Sequence, residues 1–229
     1  PIDGVPTTLK DTMLAKGWST LRGSKTTDPS AERDTDAPPV ARLREAGAIF
    51  LGKTTTPEFG WKGVTDSALS GVTRNPWNTS RTTGGSSGGA VAAAALGMGI
   101  LHTGTDAGGS VRIPASFTGV FSLKPTYGKV PAWPASPFGT LSHTGPITRT
   151  VRDAAAMLNV MARPDIRDWT ALPADGTNYL ESIEKGVEGL RIAFSLTLGH
   201  VKIVNPEIAE LVTSAAQSFE KLGATVEEI

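Results

Sequence analysis

Short apolar runs alternate along the chain with segments whose apolar residues recur at helical spacing, and that alternation predicts the elements. Residues 1–9 (PIDGVPTTL) read as a turn and a short extended segment leading into Lys10. Residues 18–36 are polar with few apolar anchors and predict a surface loop. A helix is expected from Ala37 to Ala46, with Asp36 as N-cap and Pro38 and Pro39 in its first turn. Val40 and Leu43 would share its buried face, and Gly47 would stop it. Ala48–Leu51 (AIFL) predicts a short buried strand, and residues 60–81 a long structured loop.

The second half repeats this alternation. A helix of small residues is expected over 87–98, with strands over 100–103 and 119–123. The proline-rich stretch 131–139 predicts an irregular loop. Thr150 and Asp153 have capping-box spacing ahead of a helix with Ala154, Ala155, Leu158 and Met161 on one side. Leu190–Leu196 predicts a strand. Asn205 and Pro206 open a helix whose stripe is Ile208, Leu211, Val212, Ala215, Phe219 and Leu222, with Gly223 as stop and a strand over 225–229. Helices alternating with short apolar strands imply a layered α/β fold. With no internal repeat and no linker, residues 1–229 are expected to form a single domain.

Composition narrows the classes. Of 229 residues, 39% are apolar, enough for a substantial core, and 22 basic residues balance 22 acidic ones. That balance points to neither nucleic acid nor a membrane surface as partner. Cysteine is absent, which removes disulfides, thiolate metal sites and a cysteine nucleophile. No apolar run approaches the roughly 20 residues of a membrane helix, so a soluble, cytoplasmic protein is expected. The start at Pro1 and the terminal strand-like TVEEI are read as the ends of a piece of a longer protein.

Three motifs compete for the chemistry. Gly47–Thr54 (GAIFLGKT) matches the phosphate-loop pattern, but that loop should follow a strand, and here the strand lies inside the match. A strand leaving a helix end is the better reading. Gly84–Gly88 (GGSSG) matches the nucleophile elbow, which needs a preceding strand and a later histidine and acid. The preceding TSRTT is polar, only His143 and His200 lie in downstream loop contexts, and His102 sits in an apolar strand as a structural histidine. Thr105–Ser110 (TDAGGS) offers a tight turn whose Ala107, Gly108 and Gly109 N–H groups would converge as an oxyanion hole before Ser110. An ordinary Gly-rich turn with a capping serine is the competing reading of GGS alone.

Together, Gly4–Asp11 (GVPTTLKD), Gly84–Ala90 (GGSSGGA) and Gly104–Ser116 (GTDAGGSVRIPAS) resemble the amidase signature family, as do FSLKPTYGKV and SHTGPITRTVRDAA further on. The resemblance covers nearly the whole chain. It implies a mixed, mostly parallel β-sheet core covered by helices on both sides and incomplete at both ends of this chain. It also implies a Ser–cisSer–Lys triad: Ser110 as nucleophile, Ser86 as the bridging serine on a cis peptide, and Lys10 as base. Ala107, Gly108, Gly109 and Ser110 take the oxyanion-hole positions, with Ser87, Asp106 and Arg112 as the supporting shell. No cofactor and no metal are implied.

A serine needs a base to remove its proton, and lysine acts as one only when neutral, although its free pKa is about 10.4. Holding it half neutral at pH 7 takes about 4–5 kcal/mol, within the reach of deep burial. Asp11, next to Lys10 on an extended segment, should project to the opposite side. The expected activity is hydrolysis of a small linear or aryl amide through an acyl-enzyme. The alternatives are the glutamine-hydrolysing component of a tRNA-dependent amidotransferase and an inactive piece of an amidase that pairs with a second copy through its sheet edge. KGVTDSAL (Lys62–Leu69) and the segment after YGKV look more like the free-standing amidases. Trp133, Pro137 and Phe138 read as pocket rim or plain hydrophobic anchors, and Trp61 and Trp77 carry the same two readings.

Overall fold

Five strands form the central sheet: β1 (Pro6–Lys10), β2 (Ile49–Thr54), β3 (Leu101–Asp106), β4 (Phe121–Ser122) and β5 (His143–Thr148), in the order β2-β1-β3-β5-β4. The computed structural model describes residues 2–31 and 34–229; Pro1 of the expected N-terminal turn and Glu32 and Arg33 of the expected 18–36 loop lie outside the described residues. Strand β1 pairs in parallel with β2 and β3, whereas β5 runs antiparallel to both β3 and β4. Four of the five strands therefore share one direction, and the sheet is mixed.

Helices close the sheet through two separate cores. Val40 and Leu43 of α1 (Pro38–Glu45) and Met157, Leu158 and Met161 of α4 (Val151–Met161) pack with Leu9 and Leu101. Ala90, Val91 and Ala94 of α2 (Gly88–Ala95) pack with Val111, with Ala115 of α3 (Arg112–Thr118) and with Ile147. Alternation along β1 sends Leu9 into the first core and Thr8 and Lys10 to the other face. There Thr8 Oγ1 meets His102 Nδ1 at 2.8 Å, and His102 pairs with Ile147 across the sheet.

Small residues in α2 let it approach its neighbours closely. A Cβ on Gly89 would stand 2.3 Å from the Thr55 backbone nitrogen, and one on Gly88 would stand 2.3 Å from Thr65 Oγ1. Both distances are shorter than any van der Waals contact, so the helix start requires glycine for space.

The chain divides into two compact units, Pro1–Leu180 and Glu181–Ile229. In the second, β6 (Arg191–Phe194) and β7 (Thr225–Glu228) pair in parallel, with α5 (Pro206–Gln217) between them in the chain. Asn205 caps α5 as expected, its side chain accepting from the Glu207 N–H at 2.9 Å, and Gly223 takes a φ of 87° past the helix.

Several expectations need correction. Asp36 does not cap α1, whose N-cap is Ala37; its carboxylate instead takes the Lys16 N–H and a two-bond contact from Arg44. The strand expected to be buried at Ala48–Leu51 is the edge strand β2, and Ile49 and Leu51 are more than half exposed. Residues 60–81 hold two small antiparallel ribbons, Asp66–Ser67 with Gly71–Val72 and Arg74–Asn75 with Asn78–Thr82. Helix α3 and strand β5 escape the sequence pattern, because Pro114 interrupts the helical periodicity and Gly145-Pro146 interrupts the strand alternation. Within the second unit, Ile208, Leu211 and Val212 of the expected α5 stripe are exposed.

The close approach of α2 yields a reversal of the usual rule. Glycine-to-alanine inside a helix normally stabilises by up to ~1 kcal/mol. Gly89→Ala is expected to destabilise by ~1–3 kcal/mol through overpacking against Thr55, read as a lower denaturant midpoint at unchanged m-value.

Candidate active site

The C-terminal ends of β1 and β3 bring side chains from three sequence motifs to one place. Lys10 ends β1 and is fully buried. Its Nζ lies 2.7 Å from Ser86 Oγ, 2.8 Å from Thr105 Oγ1 and 3.5 Å from the Thr105 carbonyl. Its own N–H donates to Thr103 Oγ1 at 2.9 Å. Burial lowers the Lys10 pKa to about 7, against a smaller opposing pull from the Asp106 carboxylate. A buried charge would lose its hydration, so the neutral amine is favoured.

Ser86 follows a cis Gly85–Ser86 peptide and is almost wholly buried. The next residue, Ser87, joins the two Gly/Ser clusters. Its N–H donates to the Ser110 carbonyl at 3.2 Å, and its Oγ donates to the Thr105 carbonyl at 3.3 Å while accepting the Thr105 N–H at 3.4 Å.

Asp106 organises the turn leading to Ser110. Its carboxylate accepts the Gly109 N–H at 2.7 Å, the Val111 N–H at 3.1 Å and two bonds from Arg112, at 3.0 and 2.9 Å. Burial by itself would raise this carboxyl, but the hydrogen bonds from Arg112, Val111 and Gly109 prevail and hold it at about 2. Asp106 is therefore an anion at all working pH values. The bond to Asp106 also corrects one expectation: the Gly109 N–H points at a carboxylate and does not join the other two amides. Among the described residues, no hydrogen bond engages the N–H of Ala107, Gly108 or Ser110. Gly109 has its own requirement for glycine, with φ at 118° and a would-be Cβ 2.6 Å from Ile113 Cδ1.

These groups open on a cavity of about 170 Å³ lined by Ser86, Thr105, Asp106, Ala107 and Ser110. Trp133, Pro137 and Phe138 line it as well, which makes them rim residues, whereas Trp61 and Trp77 lie outside it. Trp77 instead donates its indole N–H to the Thr118 carbonyl at 2.7 Å. Ser86 and Ser110 share the cavity without a hydrogen bond between their hydroxyls.

The competing motifs resolve structurally. Lys53 of the phosphate-loop match lies on β2 and donates to the Met13 carbonyl and to Thr20 Oγ1, so the segment is a strand and no phosphate cradle. Among the described residues, no histidine partners Ser86 or Ser110. His143 Nδ1 meets the Leu141 and Asp106 carbonyls, and His200 Nδ1 meets the Leu198 carbonyl. His102 is buried, which lowers its pKa to about 4; its Nδ1 is bonded to Thr8 while its Nε2 has no partner among the described residues. Asp11, beside Lys10, binds the Leu21 and Gly23 N–H groups instead of the amine. Among the described residues no group of three or more His, Asp or Glu side chains is placed to hold a metal ion. The sequence reading misses Thr105; the period-2 pattern of Leu101–Asp106, with the strand extended to Asp106, carries the signal.

Comparison with known proteins shows the family. The family model described as Amidase matches residues 1–229. An acylamidase of Rhodococcus erythropolis is 46% identical over 233 residues, covering 100% of this chain and 48% of the relative. The A subunit of a glutamyl-tRNA(Gln) amidotransferase from Syntrophobacter fumaroxidans is 42% identical over 230 residues, covering 100% of this chain and 47% of the relative. The crystal structure of a bacterial aryl acylamidase of the amidase signature enzymes superposes with a TM-score of 0.89 at 35% identity, over 99% of this chain and 47% of that one. The chain spans about half the length of the curated relatives it matches. It belongs to the amidase signature family.

Proposed function

We propose that the protein hydrolyses the carbon–nitrogen bond of a small linear amide, with Ser110 as nucleophile, Ser86 as proton relay and Lys10 as base. The observation that carries this reading is the fully buried Lys10 amine 2.7 Å from Ser86 in the cavity that Ser110 lines. A neutral amine has two N–H groups and one lone pair. The Thr105 hydroxyl and carbonyl accept the two N–H groups, which leaves the lone pair for the Ser86 proton.

In the forward step Lys10 takes the Ser86 proton while Ser86 takes the Ser110 proton, and Ser110 Oγ bonds to the amide carbon. The carbonyl oxygen gains the negative charge, which the N–H groups of Ala107, Gly108 and Ser110 stabilise as it develops. Gly109 supports that pocket indirectly, by tethering the turn to Asp106. Collapse breaks the carbon–nitrogen bond, with the proton returned from Lys10 through Ser86 to the departing nitrogen. Water then cleaves the acyl-enzyme by the same relay and releases the acid. The Ser86–Ser110 contact that proton transfer requires is one that substrate binding must tighten, as catalytic hydrogen bonds are commonly long in unliganded sites.

The similarity to the A subunits of amidotransferases supports a second reading, in which the amide is glutamine and the ammonia goes to a partner. Kinetics on a panel of linear, aryl and cyclic amides with glutamine included separates the two. Hydrolysis of simple amides by the protein alone supports the amidase reading; glutamine as sole substrate, with a co-purifying partner, supports the other.

In the full chain, Ser110→Ala is expected to lower kcat by roughly 10³-fold or more. Lys10→Ala and Ser86→Ala are each expected to lose about 10²–10⁴-fold, and their double variant no more than the worse single one. Near-normal turnover by Ser110→Ala sinks the assignment.

The Lys10 pKa sets the pH profile. Because the active form is the neutral amine, kcat/KM should rise through an apparent pKa near 7 and fall about tenfold per pH unit below it. That limb should vanish from the residual activity of Lys10→Ala.

A further inference from the structure

We propose that Arg22 is a specificity-determining residue that receives a carboxylate on the amide substrate. The proposal rests on the reading of this cavity as an amide-hydrolysing site. Of the described side chains that line the cavity, only Arg22 and Asp106 are ionic. Asp106 is already committed to Arg112 and to two backbone N–H groups. Among the described residues the Arg22 guanidinium makes no hydrogen bond and no ion pair, and Asp34, which lines an adjoining cavity with it, is not paired with it. The cavity thus presents one cation whose charge no described residue answers.

The backbone at Arg22 is fixed independently of that side chain. Its φ of 55° places a non-glycine residue in the left-handed region, a conformation retained only where the surroundings enforce it. Asp11 supplies the enforcement. The Arg22 N–H donates to the Asp11 carbonyl at 3.0 Å, and the Asp11 carboxylate takes the N–H groups on either side, from Leu21 and Gly23. The Arg22 carbonyl accepts the Phe59 N–H at 2.7 Å, and Phe59, with a φ of 51°, lines the same cavity. The Asp11 that follows the base Lys10 therefore anchors Arg22 by its main chain. One segment fixes the chemistry and the cation in a common frame.

A guanidinium offers a planar fork of N–H donors that matches a carboxylate in two parallel bonds. The surrounding wall includes Met13, Leu14, Trp133, Pro137 and Phe138, while Arg22 itself is exposed at the cavity's edge, where its guanidinium can meet an incoming ligand. The substrate class this selects is an amide whose chain ends in a carboxylate, such as the monoamide of a linear dicarboxylic acid.

The test compares such monoamides, over a series of chain lengths, with amides of the same length ending in a methyl group, in the full chain and in Arg22→Gln, Arg22→Lys and Arg22→Glu. Wild type should prefer the carboxylate amide at one length. Arg22→Gln should cut the ratio of the two kcat/KM values by about 10–100-fold, Arg22→Lys should recover part of it, and Arg22→Glu should fall below Arg22→Gln. Calorimetric binding of the same ligands supplies a readout that does not need turnover, so failure of the hydrolase reading leaves this one measurable. A wild type that neither cleaves nor binds the carboxylate amides better, or a preference that Arg22→Gln leaves unchanged, overturns the proposal.

Discussion

The burial of one lysine amine is the constraint on which the rest of the site depends. Lys10 is the largest fully buried side chain among the described residues, and an unpaired ammonium in such a place would be strongly disfavoured. The protein supplies no carboxylate in contact with Nζ among the described residues. It supplies two threonine oxygens and a serine hydroxyl, partners that satisfy an amine without restoring its charge. The pKa falls from 10.5 to about 7 in consequence. Between those values the unfolded chain binds more protons than the folded one, so this group opposes folding at neutral pH, and its penalty fades as pH rises towards 10.5. Keeping a lysine there costs stability, a cost that the proposed role as base would account for.

Topology explains how that constraint is met. Parallel pairing of β1 with β3 sets Lys10 beside the strand that ends in Thr103, Thr105 and Asp106. The small residues of α2 bring Ser86 and Ser87 down onto the same strand ends, and Ser87 bonds both Thr105 and Ser110. Asp106 then divides the labour with Lys10. Its charge is answered by Arg112 and by backbone N–H groups, so the anion shapes the turn without pairing with the amine and raising its pKa back to the ordinary range.

Much of this is legible in the sequence because it lies in glycine spacing and capping chemistry, which act locally. The Thr150–Asp153 cap and the Asn205 cap are such cases, and so is the strand reading of the phosphate-loop match. What the sequence hides is set by pairing across long separations. Asp36 has the chemistry of a cap, yet Arg44 and the Lys16 amide claim it. Ile49 and Leu51 are apolar enough for a core, but β2 has a neighbour on one side alone among the described residues. The role of Gly109 is hidden for the same reason, since the direction of its N–H is decided by the Asp106 carboxylate and not by the glycine. Arg22 carries no signal at all, because its placement comes from Asp11 and Phe59 and not from its neighbours in the chain.

Lys10 is held half neutral near pH 7 and mostly neutral above it, a claim that direct titration tests most closely. Nitrogen-15 lysine NMR of the full chain, with Lys10 assigned by loss of its signal in Lys10→Arg, follows the amine through pH. A midpoint near 7 is the predicted result. A signal that stays protonated beyond pH ~9, close to an ordinary lysine, contradicts that claim.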